Sequence, residues 1–413
     1  MYRTYNARPI PTPYRPRNRR RAVRFAATFV LLFLSVYVAY ALLRPVAEPR
    51  TTILPPVVTG QVRVNSPWPA TGQVAFGADG YGLLSSHNPQ KPSPTASVTK
   101  VITALAILEQ KPLKTGEAGP TIGLTERDVA LYNEYVAKDG AVVPVGAGLS
   151  MTQYEALQAI LLPSANNIAD TTAIWAFGSM ESYTAYANKM VKRLGMSQTT
   201  VSDASGFSPL TVSTAGDLVK LGDAALDHPV LAEIIGQKQA TFPNYGTIQN
   251  VNSLIGQVGI RGIKTGNTEE AGGCYLAAAD VQIGGQKVTV ITAIMGATTR
   301  PQAMKDSVPI IQSAVSQFQN VQVVKAGQSV GTVSTAWGAR SDIVAGKGIS
   351  VLTWNGTALS PRVAAKPIGG PRPANTEVGT LNLVHNKTTT SSKLYTRTAI
   401  AGPSVAWRLT HPF

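Results

Sequence analysis

The sequence is poor in cysteine and histidine. Its 413 residues include one cysteine, Cys274, and four histidines, His87, His228, His385 and His411. A single cysteine excludes an intrachain disulfide and a cysteine-based metal cluster, and the histidines have none of the spacings typical of a metal site. We therefore expect no metal and no other cofactor, and we expect Cys274 to be a small buried residue in a strand.

Acidic residues are also scarce, 22 against 37 basic ones, which gives a formal net charge of +15. Such an excess is common in nucleic-acid-binding proteins. Here, however, residues 1–24 contain eight arginines and no acidic residue, and the remaining 389 residues carry 29 basic and 22 acidic side chains. Part of the excess thus belongs to a local basic tail, and we expect no nucleic-acid partner.

Charged residues are absent from the apolar run FAATFVLLFLSVYVAYALL, residues 25–43. Nineteen residues are about enough to cross a bilayer as a helix. Because the arginines precede this run, it is expected to be a single-pass transmembrane anchor in the cell membrane, with residues 1–24 cytoplasmic and the rest outside. The alternative is a cleaved signal peptide, since Ala39-Tyr40-Ala41 fits a cleavage site, but the run exceeds the usual apolar region of about 7–15 residues.

The rest of the chain divides by composition into three parts. Residues 44–71 are rich in proline and predict a linker. Residues 72–318 contain helical patterns, a predicted hairpin at Asp79-Gly80 and strand-like runs near 259–263, 274–282 and 287–295, the last two joined at Gly284-Gly285. Residues 319–413 contain short strand candidates, including SVAWRLT near the end, and predict a small β-rich domain. The expected fold class is α+β, an antiparallel sheet with a helical cluster, followed by that domain.

Two helices are predicted within residues 72–318. The run SMTQYEALQAILLP, residues 150–163, predicts one helix. The run STAGDLVKLGDAALDHP predicts another, capped by Ser213 and ended by Pro229.

The motif Ser97-Val98-Thr99-Lys100 opens an apolar helical pattern. Residues three apart share one helix face, so Ser97 and Lys100 point the same way. A serine hydroxyl is a weak nucleophile, and a lysine that is desolvated or close to another cation can lose its proton and act as its base. Taken alone, this spacing is common, and serine is an ordinary residue at the start of a helix.

Two further motifs follow. Ser164 and Asn166 stand in LLPSANNIAD, where a hydroxyl and an amide on one loop can face one pocket, or can simply start a helix. Lys264-Thr265-Gly266 follows an apolar strand, in which Lys264 and Gly266 share a face and Gly266 lets a ligand backbone approach closely. A second copy, Lys114-Thr115-Gly116, lies in a polar stretch after Pro112 and is read as a turn.

The three motifs occur in the order S-x-x-K, S-x-N and K-T-G, which is nearly the signature set of penicillin-binding proteins and class A β-lactamases. Over roughly residues 70–318 the sequence resembles the D-alanyl-D-alanine carboxypeptidases, the low-molecular-mass penicillin-binding proteins. The resemblance extends to NKMVKRLGMSQTTVSDASGFSP, STAGDLVKL and IKTGNTEEAGGCYLAAA. It implies a β-lactamase/transpeptidase-like fold and an extracytoplasmic serine peptidase.

The resemblance also implies the roles of the site residues. Ser97 would be the nucleophile and Lys100 its base. Ser164 would relay a proton to the leaving D-Ala, and Asn166 would orient Lys100 and the substrate.

The third motif and its neighbours would bind the substrate. Lys264 and Thr265, with Gly266 beside them, would face the terminal carboxylate, and Arg300 would assist. Lys264 would also help to keep Lys100 neutral, and the N–H groups of Ser97 and Asn267 would form the oxyanion hole. The implied partners are peptidoglycan stem peptides ending in D-Ala-D-Ala, and β-lactams as covalent inhibitors.

Two features depart from related patterns. No E-x-x-L-N element follows Ser164, which points away from a class A β-lactamase. Many relatives attach to the membrane by a C-terminal amphipathic helix, whereas this chain ends in a strand-like stretch.

The sequence Gly327-Gln328-Ser329-Val330-Gly331 fits the G-x-S-x-G pattern of α/β-hydrolases, but the strand-turn-helix context that this motif needs is missing.

Three functions stay open at this level. The first is a carboxypeptidase that trims stem peptides. The second is a transpeptidase or endopeptidase with the same site and a different acceptor. The third is a non-catalytic β-lactam sensor or cell-wall-binding protein. Intact motif residues favour an enzyme.

Overall fold

The computed structural model describes residues 19–58, 66–88, 90–242, 246–355, 357–386 and 388–411. The ten helices in these ranges are α1 Arg19–Leu43, α2 Thr99–Gln110, α3 Glu126–Ala137, α4 Gln153–Leu161, α5 Asn166–Phe177, α6 Met180–Arg193, α7 Ala215–Asp227, α8 Pro229–Ile235, α9 Arg300–Ser316 and α10 Val405–Thr410.

The strands in the same ranges are β1 Arg50–Ile53, β2 Gln73–Ala78, β3 Gly82–His87, β4 Ser93–Pro94, β5 Thr121–Gly123, β6 Ser150–Thr152, β7 Val212–Ser213, β8 Gln239–Phe242, β9 Gly246–Gln249, β10 Ile260–Thr268, β11 Gly272–Ile283, β12 Gln286–Ala297, β13 Phe318–Val324, β14 Ser329–Ser334, β15 Arg340–Ala345, β16 Ile349–Trp354, β17 Arg362–Ala365, β18 Glu377–His385 and β19 Thr388–Thr396.

The first element, α1, is long and apolar enough to cross a membrane. Its large apolar side chains, such as Phe25 and Phe29, are exposed rather than packed against the protein. An apolar surface of this size is unfavourable in water, so α1 suits a lipid environment better than a protein core. Arg19 is the first residue that the structure describes, and it already lies in this helix.

A five-stranded antiparallel sheet, in the order β10-β11-β12-β2-β3, forms the centre of the larger domain. The predicted hairpin at Asp79-Gly80 joins β2 to β3, and Gly284-Gly285 joins β11 to β12 with both glycines at positive φ, which confirms both turns. Cys274 is a buried residue of β11, as expected.

Helices cover both faces of this sheet. The larger core cluster includes buried residues of α2, α4, α5 and α7 together with one sheet face. The smaller cluster lies on the other face, where α9 packs against β11 and β12. The predicted architecture of an antiparallel sheet with a helical cluster is thus confirmed, with one helix on the opposite face.

Two helix ends differ from the sequence prediction. Ser150–Thr152 is strand β6, paired with β5, and α4 starts at Gln153 with Thr152 as its capping residue. Thr214, not Ser213, caps α7, because Ser213 pairs with Ser93 in a short strand. Pro229 follows the end of α7 at Asp227 and itself begins α8.

The C-terminal region is rich in β structure, as predicted. Its main sheet has six strands in the order β1-β14-β15-β19-β18-β17 around a separate apolar core. The strand β1 is not predicted from the sequence; it lies inside the proline-rich stretch and pairs with β14. The prediction of a strand for SVAWRLT is wrong, because Val405–Thr410 is a short helix, α10, capped by Ser404.

Candidate active site

Ser97 lies in a 3₁₀ turn, Ala96–Val98, that leads directly into α2. One helical turn later, the side chain of Lys100 is fully buried, and its Nζ donates a hydrogen bond to Ser97 Oγ at 2.9 Å. The predicted shared face is therefore present. The amine and the hydroxyl stand at the distance at which a neutral lysine can take the hydroxyl proton.

Two more acceptors hold the Lys100 amine. Its Nζ donates to Asn166 Oδ1 at 2.6 Å and to the Ser205 carbonyl oxygen at 2.7 Å. Asn166 is the first residue of α5, and its own backbone N–H donates to the Ala141 carbonyl oxygen. The second motif thus contacts the first through Asn166, and the amine is directed by three oxygen atoms on three different segments.

Burial lowers the pKa of Lys100 from its usual value to about 7. Desolvation is the main cause, because a buried ammonium loses its hydration. The carboxylates of Asp203 and Asp170 act in the opposite direction and favour the ammonium. A large fraction of this lysine is therefore neutral near pH 7, as a general base must be.

Lys264 lies on β10, is almost fully buried, and donates from Nζ to the Thr265 carbonyl oxygen at 3.0 Å. Its pKa is held well below the usual range, first by burial and then by the positive charges of Lys100 and Arg300. Lys100 and Arg300 are therefore close enough to Lys264 for their charges to act on it. A bound anion in this region would favour the charged form of Lys264.

Gly266 brings β10 against the turn that carries Ser97. A Cβ at this position would lie 2.9 Å from Ala96 Cβ and 3.0 Å from Ser97 N. Any larger residue would therefore push β10 and the Ser97 turn apart. The Ser97 turn thus occupies the space on the Cβ side of Gly266.

The other predicted residues lie around this centre. Ser164 is buried between α4 and α5, and its Oγ has no hydrogen-bond partner among the described residues. Ser164 and Ala96 both adopt positive φ, at 71° and 46°, which is unusual outside glycine and occurs at functional sites. Asn267, next to Gly266, has an exposed side chain, and the exposed Arg300 begins α9.

The second K-T-G copy and the G-x-S-x-G sequence are not part of this centre. Lys114-Thr115-Gly116 lies in an exposed turn after α2, where the Lys114 N–H donates to Glu117 Oε2. Ser329 is an exposed residue at the start of β14, and β14 continues into β15 of the same sheet. Neither motif has the buried surroundings of Lys100 and Lys264.

A polar group behind Lys100 lies outside the three predicted motifs. Tyr135 Oη donates to Asp170 Oδ2 at 2.7 Å and lies 3.2 Å from Ser205 Oγ, which donates to Asp203. Burial raises the pKa of Asp170 to about 7. Asp170 follows Asn166 by four residues on α5 and so shares its helix face, a spacing that identifies it from sequence. Tyr135 and Asp203 carry no such local signal.

Asp170→Asn should shift the pH dependence of penicillin acylation. Where it is ionised, the Asp170 carboxylate favours the ammonium form of Lys100, so its removal should lower the pKa of Lys100. The acidic limb of the acylation rate constant should move to lower pH, which stopped-flow acylation across a pH series would measure. A fall in rate at all pH values without a shift of the limb would mean that Asp170 only supports the fold.

The chain is similar to several known proteins. A family model described as D-alanyl-D-alanine carboxypeptidase matches residues 70–299, more than half of the chain. D-alanyl-D-alanine carboxypeptidase DacF of Bacillus subtilis is 26% identical over 315 residues, which are 73% of this chain and 78% of that protein. A D-alanyl-D-alanine endopeptidase of Pseudomonas aeruginosa is 30% identical over 201 residues, 47% of this chain and 62% of the relative.

The fold is shared with solved structures. The carboxypeptidase DacD of Francisella tularensis superposes with a TM-score of 0.58 at 18% identity, covering 83% of this chain and 96% of the other. The matched residues 70–299 contain the Ser97, Ser164 and Lys264 motifs, so the resemblance inferred from the sequence is confirmed. The chain is a serine peptidase that belongs to the D-alanyl-D-alanine carboxypeptidase family.

Proposed function

We propose that the protein removes the terminal D-Ala from peptidoglycan stem peptides through an acyl-enzyme on Ser97. The observation that carries this proposal is the buried Lys100 amine, bound to both Ser97 Oγ and Asn166 Oδ1. Family membership and the names of the relatives support the substrate class.

The first step forms the acyl-enzyme. Neutral Lys100 takes the proton of Ser97 Oγ, and the oxygen attacks the carbonyl carbon of the D-Ala–D-Ala bond. The negative charge that develops on the carbonyl oxygen meets the backbone N–H groups of Ser97 and Asn267, which act as an oxyanion hole. Gly266 supports this step because it keeps β10 against the Ser97 turn.

The second part releases D-Ala and then the shortened peptide. The carbon–nitrogen bond breaks, and the proton that Lys100 took from Ser97 passes through Ser164 to the leaving amine; the Ser164 hydroxyl lacks another partner in the described residues. Asn166 keeps the Lys100 amine in place. Water then attacks the ester on Ser97 while Lys100 takes a proton from the water, and that proton returns to Ser97 Oγ as the ester bond breaks and the shortened peptide leaves. Lys264, Thr265 and Arg300 bind the terminal carboxylate of the substrate.

The direct test is mass spectrometry of a synthetic stem pentapeptide after incubation with the protein. Loss of one alanine residue by hydrolysis supports the carboxypeptidase. A product joined to an added amine acceptor indicates transpeptidation, and cleavage of a cross-linked dimer peptide indicates an endopeptidase. A stable penicillin adduct without turnover of any peptide would indicate a sensor and contradict the proposal.

We also propose that α1 anchors the protein in the cell membrane, with residues 1–24 in the cytoplasm and the peptidase domain outside. The arginines before the apolar run support this orientation. Protease added outside intact cells should digest the peptidase domain and spare an epitope tag at residue 1. A soluble mature protein that begins near Leu42 would contradict the anchor and indicate signal cleavage.

A further inference from the structure

The positive charge outside the N-terminal tail belongs to the C-terminal β-rich domain. Residues 319–413 contain ten lysines and arginines and only two acidic residues, Asp342 and Glu377, whereas residues 25–318 contain 19 basic and 20 acidic residues. Both of these acidic residues already form salt bridges, Asp342 with Arg397, and Glu377 with Lys366 and Lys393. The remaining basic residues leave a strong positive excess on this domain.

This domain is joined to the end of α1 at two places. Six residues separate α1 from β1, which is the edge strand of the six-stranded sheet. In addition, α10 packs against the last turns of α1. Tyr37 Oη donates to the Leu409 carbonyl oxygen, and Arg408 Nη1 donates to the carbonyl oxygens of Leu42 and Arg44. The domain therefore sits directly beside the point where α1 ends.

Three exposed arginines mark the same end of the sheet. Arg50 pairs with Ser334 in β14, and Ser334 pairs with Arg340 in β15. Arg372 reaches this end through its bridge to Ile400. We call Arg50, Arg340 and Arg372 the arginine rim. None of the three forms a salt bridge with any residue that the structure describes.

Aromatic side chains accompany the rim. Trp337 Nε1 donates to the Ala401 carbonyl oxygen, and its ring meets that of Trp407 on α10 at a centroid distance of 6.0 Å. The Arg44 guanidinium stands 5.8 Å from the Trp407 ring centre. Tryptophan and arginine at the level where a spanning helix ends are typical of the membrane–water interface.

We propose that the C-terminal β-rich domain lies on the outer surface of the lipid bilayer, with the arginine rim against the phosphate groups of anionic phospholipids. The proposal rests on the membrane anchor proposed above. Guanidinium groups pair with phosphate oxygens through two parallel hydrogen bonds, and a negative lipid surface attracts them over about a Debye length. The rim faces lipid rather than a wall polymer because it is at the end of the sheet joined to α1. The domain would then be a membrane-bound support that sets the distance of the active site from the lipid surface.

The test uses the full chain in phosphatidylcholine vesicles with and without phosphatidylglycerol. A fluorophore is attached at Ala399→Cys, an exposed position between Thr398 and Ile400. Native Cys274 is buried and should not react. A lipid with a spin label on its headgroup quenches the fluorophore only at short range. We expect quenching at residue 399 to be about fivefold stronger with phosphatidylglycerol present, and to fall to the phosphatidylcholine level at high salt.

Two matched triple variants assign the effect to the rim. R50Q/R340Q/R372Q should remove the dependence on phosphatidylglycerol. K325Q/K347Q/R362Q removes the same charge from exposed residues at the other end of the sheet, and it should leave the dependence unchanged. A fluorophore at the exposed Ala326→Cys, also at that other end, should show no dependence on the lipid. Penicillin labelling of each variant in the same vesicles checks that the peptidase domain is folded.

Several outcomes would overturn the assignment. Equal quenching in the two lipids, or equal effects of the two triple variants, would show that α1 alone, and not the arginine rim, holds the domain at the membrane. A larger change on adding soluble poly(glycerol phosphate) than on adding phosphatidylglycerol would identify a wall polymer as the partner instead. Failure to float with phosphatidylcholine vesicles would refute the anchor. Absence of penicillin labelling with the lipid dependence intact would refute the proposed function alone.

Discussion

Ser97→Ala is expected to abolish covalent labelling of the protein by a fluorescent penicillin. The substitution removes only the Oγ atom that lies 2.9 Å from Lys100 Nζ, and it leaves the 3₁₀ turn and α2 with residues that favour helix. The substitution thus removes the hydroxyl that Lys100 contacts, which is the proposed nucleophile. Peptide hydrolysis should fall by roughly 10³-fold or more, because the nucleophile and its base act as one unit.

Ser329→Ala is the matched control, since Ser329 is an exposed serine in the G-x-S-x-G sequence. Gel fluorescence after a fixed labelling time should show the wild-type band for Ser329→Ala and none for Ser97→Ala. A circular dichroism melt of both variants checks their folding. If Ser97→Ala keeps its label, or if Ser329→Ala loses it, the assigned nucleophile is wrong.

Lys264→Gln should remove most of the preference for a free carboxylate at the end of the substrate. Wild type should cleave a peptide ending in D-Ala-D-Ala much faster than the same peptide amidated at its C-terminus. The reason is that a substrate carboxylate would pair with the charged form of Lys264, which burial and the neighbouring charges otherwise disfavour. Loss of one hydrogen bond to a charged group costs about 1.5–3 kcal/mol, so kcat/KM for the acid should fall roughly ten- to a hundredfold.

Lys114→Gln changes the same residue type in the exposed copy of the motif, and its acid-to-amide ratio of kcat/KM should match that of the wild type. The acid-to-amide ratio of kcat/KM is more informative than either rate, because damage to the fold would slow the cleavage of both peptides equally. Equal turnover of acid and amide by the wild type would refute carboxylate recognition. An effect of Lys114→Gln as large as that of Lys264→Gln would mean that the buried copy was wrongly chosen.

The parts of the site that depend on residues close together in the chain could be predicted from the sequence. Ser97 and Lys100 are one helical turn apart, so their spacing alone implied the contact that the structure shows. The order of the three motifs indicated the family, and the comparisons confirm it. The contacts of Lys100 with Asn166 and Ser205, by contrast, join residues 66 and 105 positions away, which no local pattern specifies.

Errors in the fold prediction arose where tertiary pairing overrides local preference. Ser213 has the chemistry of a helix cap, but it pairs with Ser93 as a strand, and the cap moves to Thr214. Proline-rich residues 44–71 suggested a linker, but Arg50–Ile53 add a strand to the C-terminal sheet. SVAWRLT has strand-like composition, but Ser404 caps it as a helix packed against α1.

By itself, the sequence determined the apolar helix α1, the hairpin turns at Asp79-Gly80 and Gly284-Gly285, and the family, because each depends on residues close in the chain or on a motif order. Only the tertiary structure decided how far the pKa of Lys100 falls. Burial lowers the pKa of Lys100 to about 7, whereas Lys114 stays exposed in a turn. The physical reason is desolvation, which depends on everything packed around the amine, from α5 to the loop at Ser205, and not on the residues beside it in sequence.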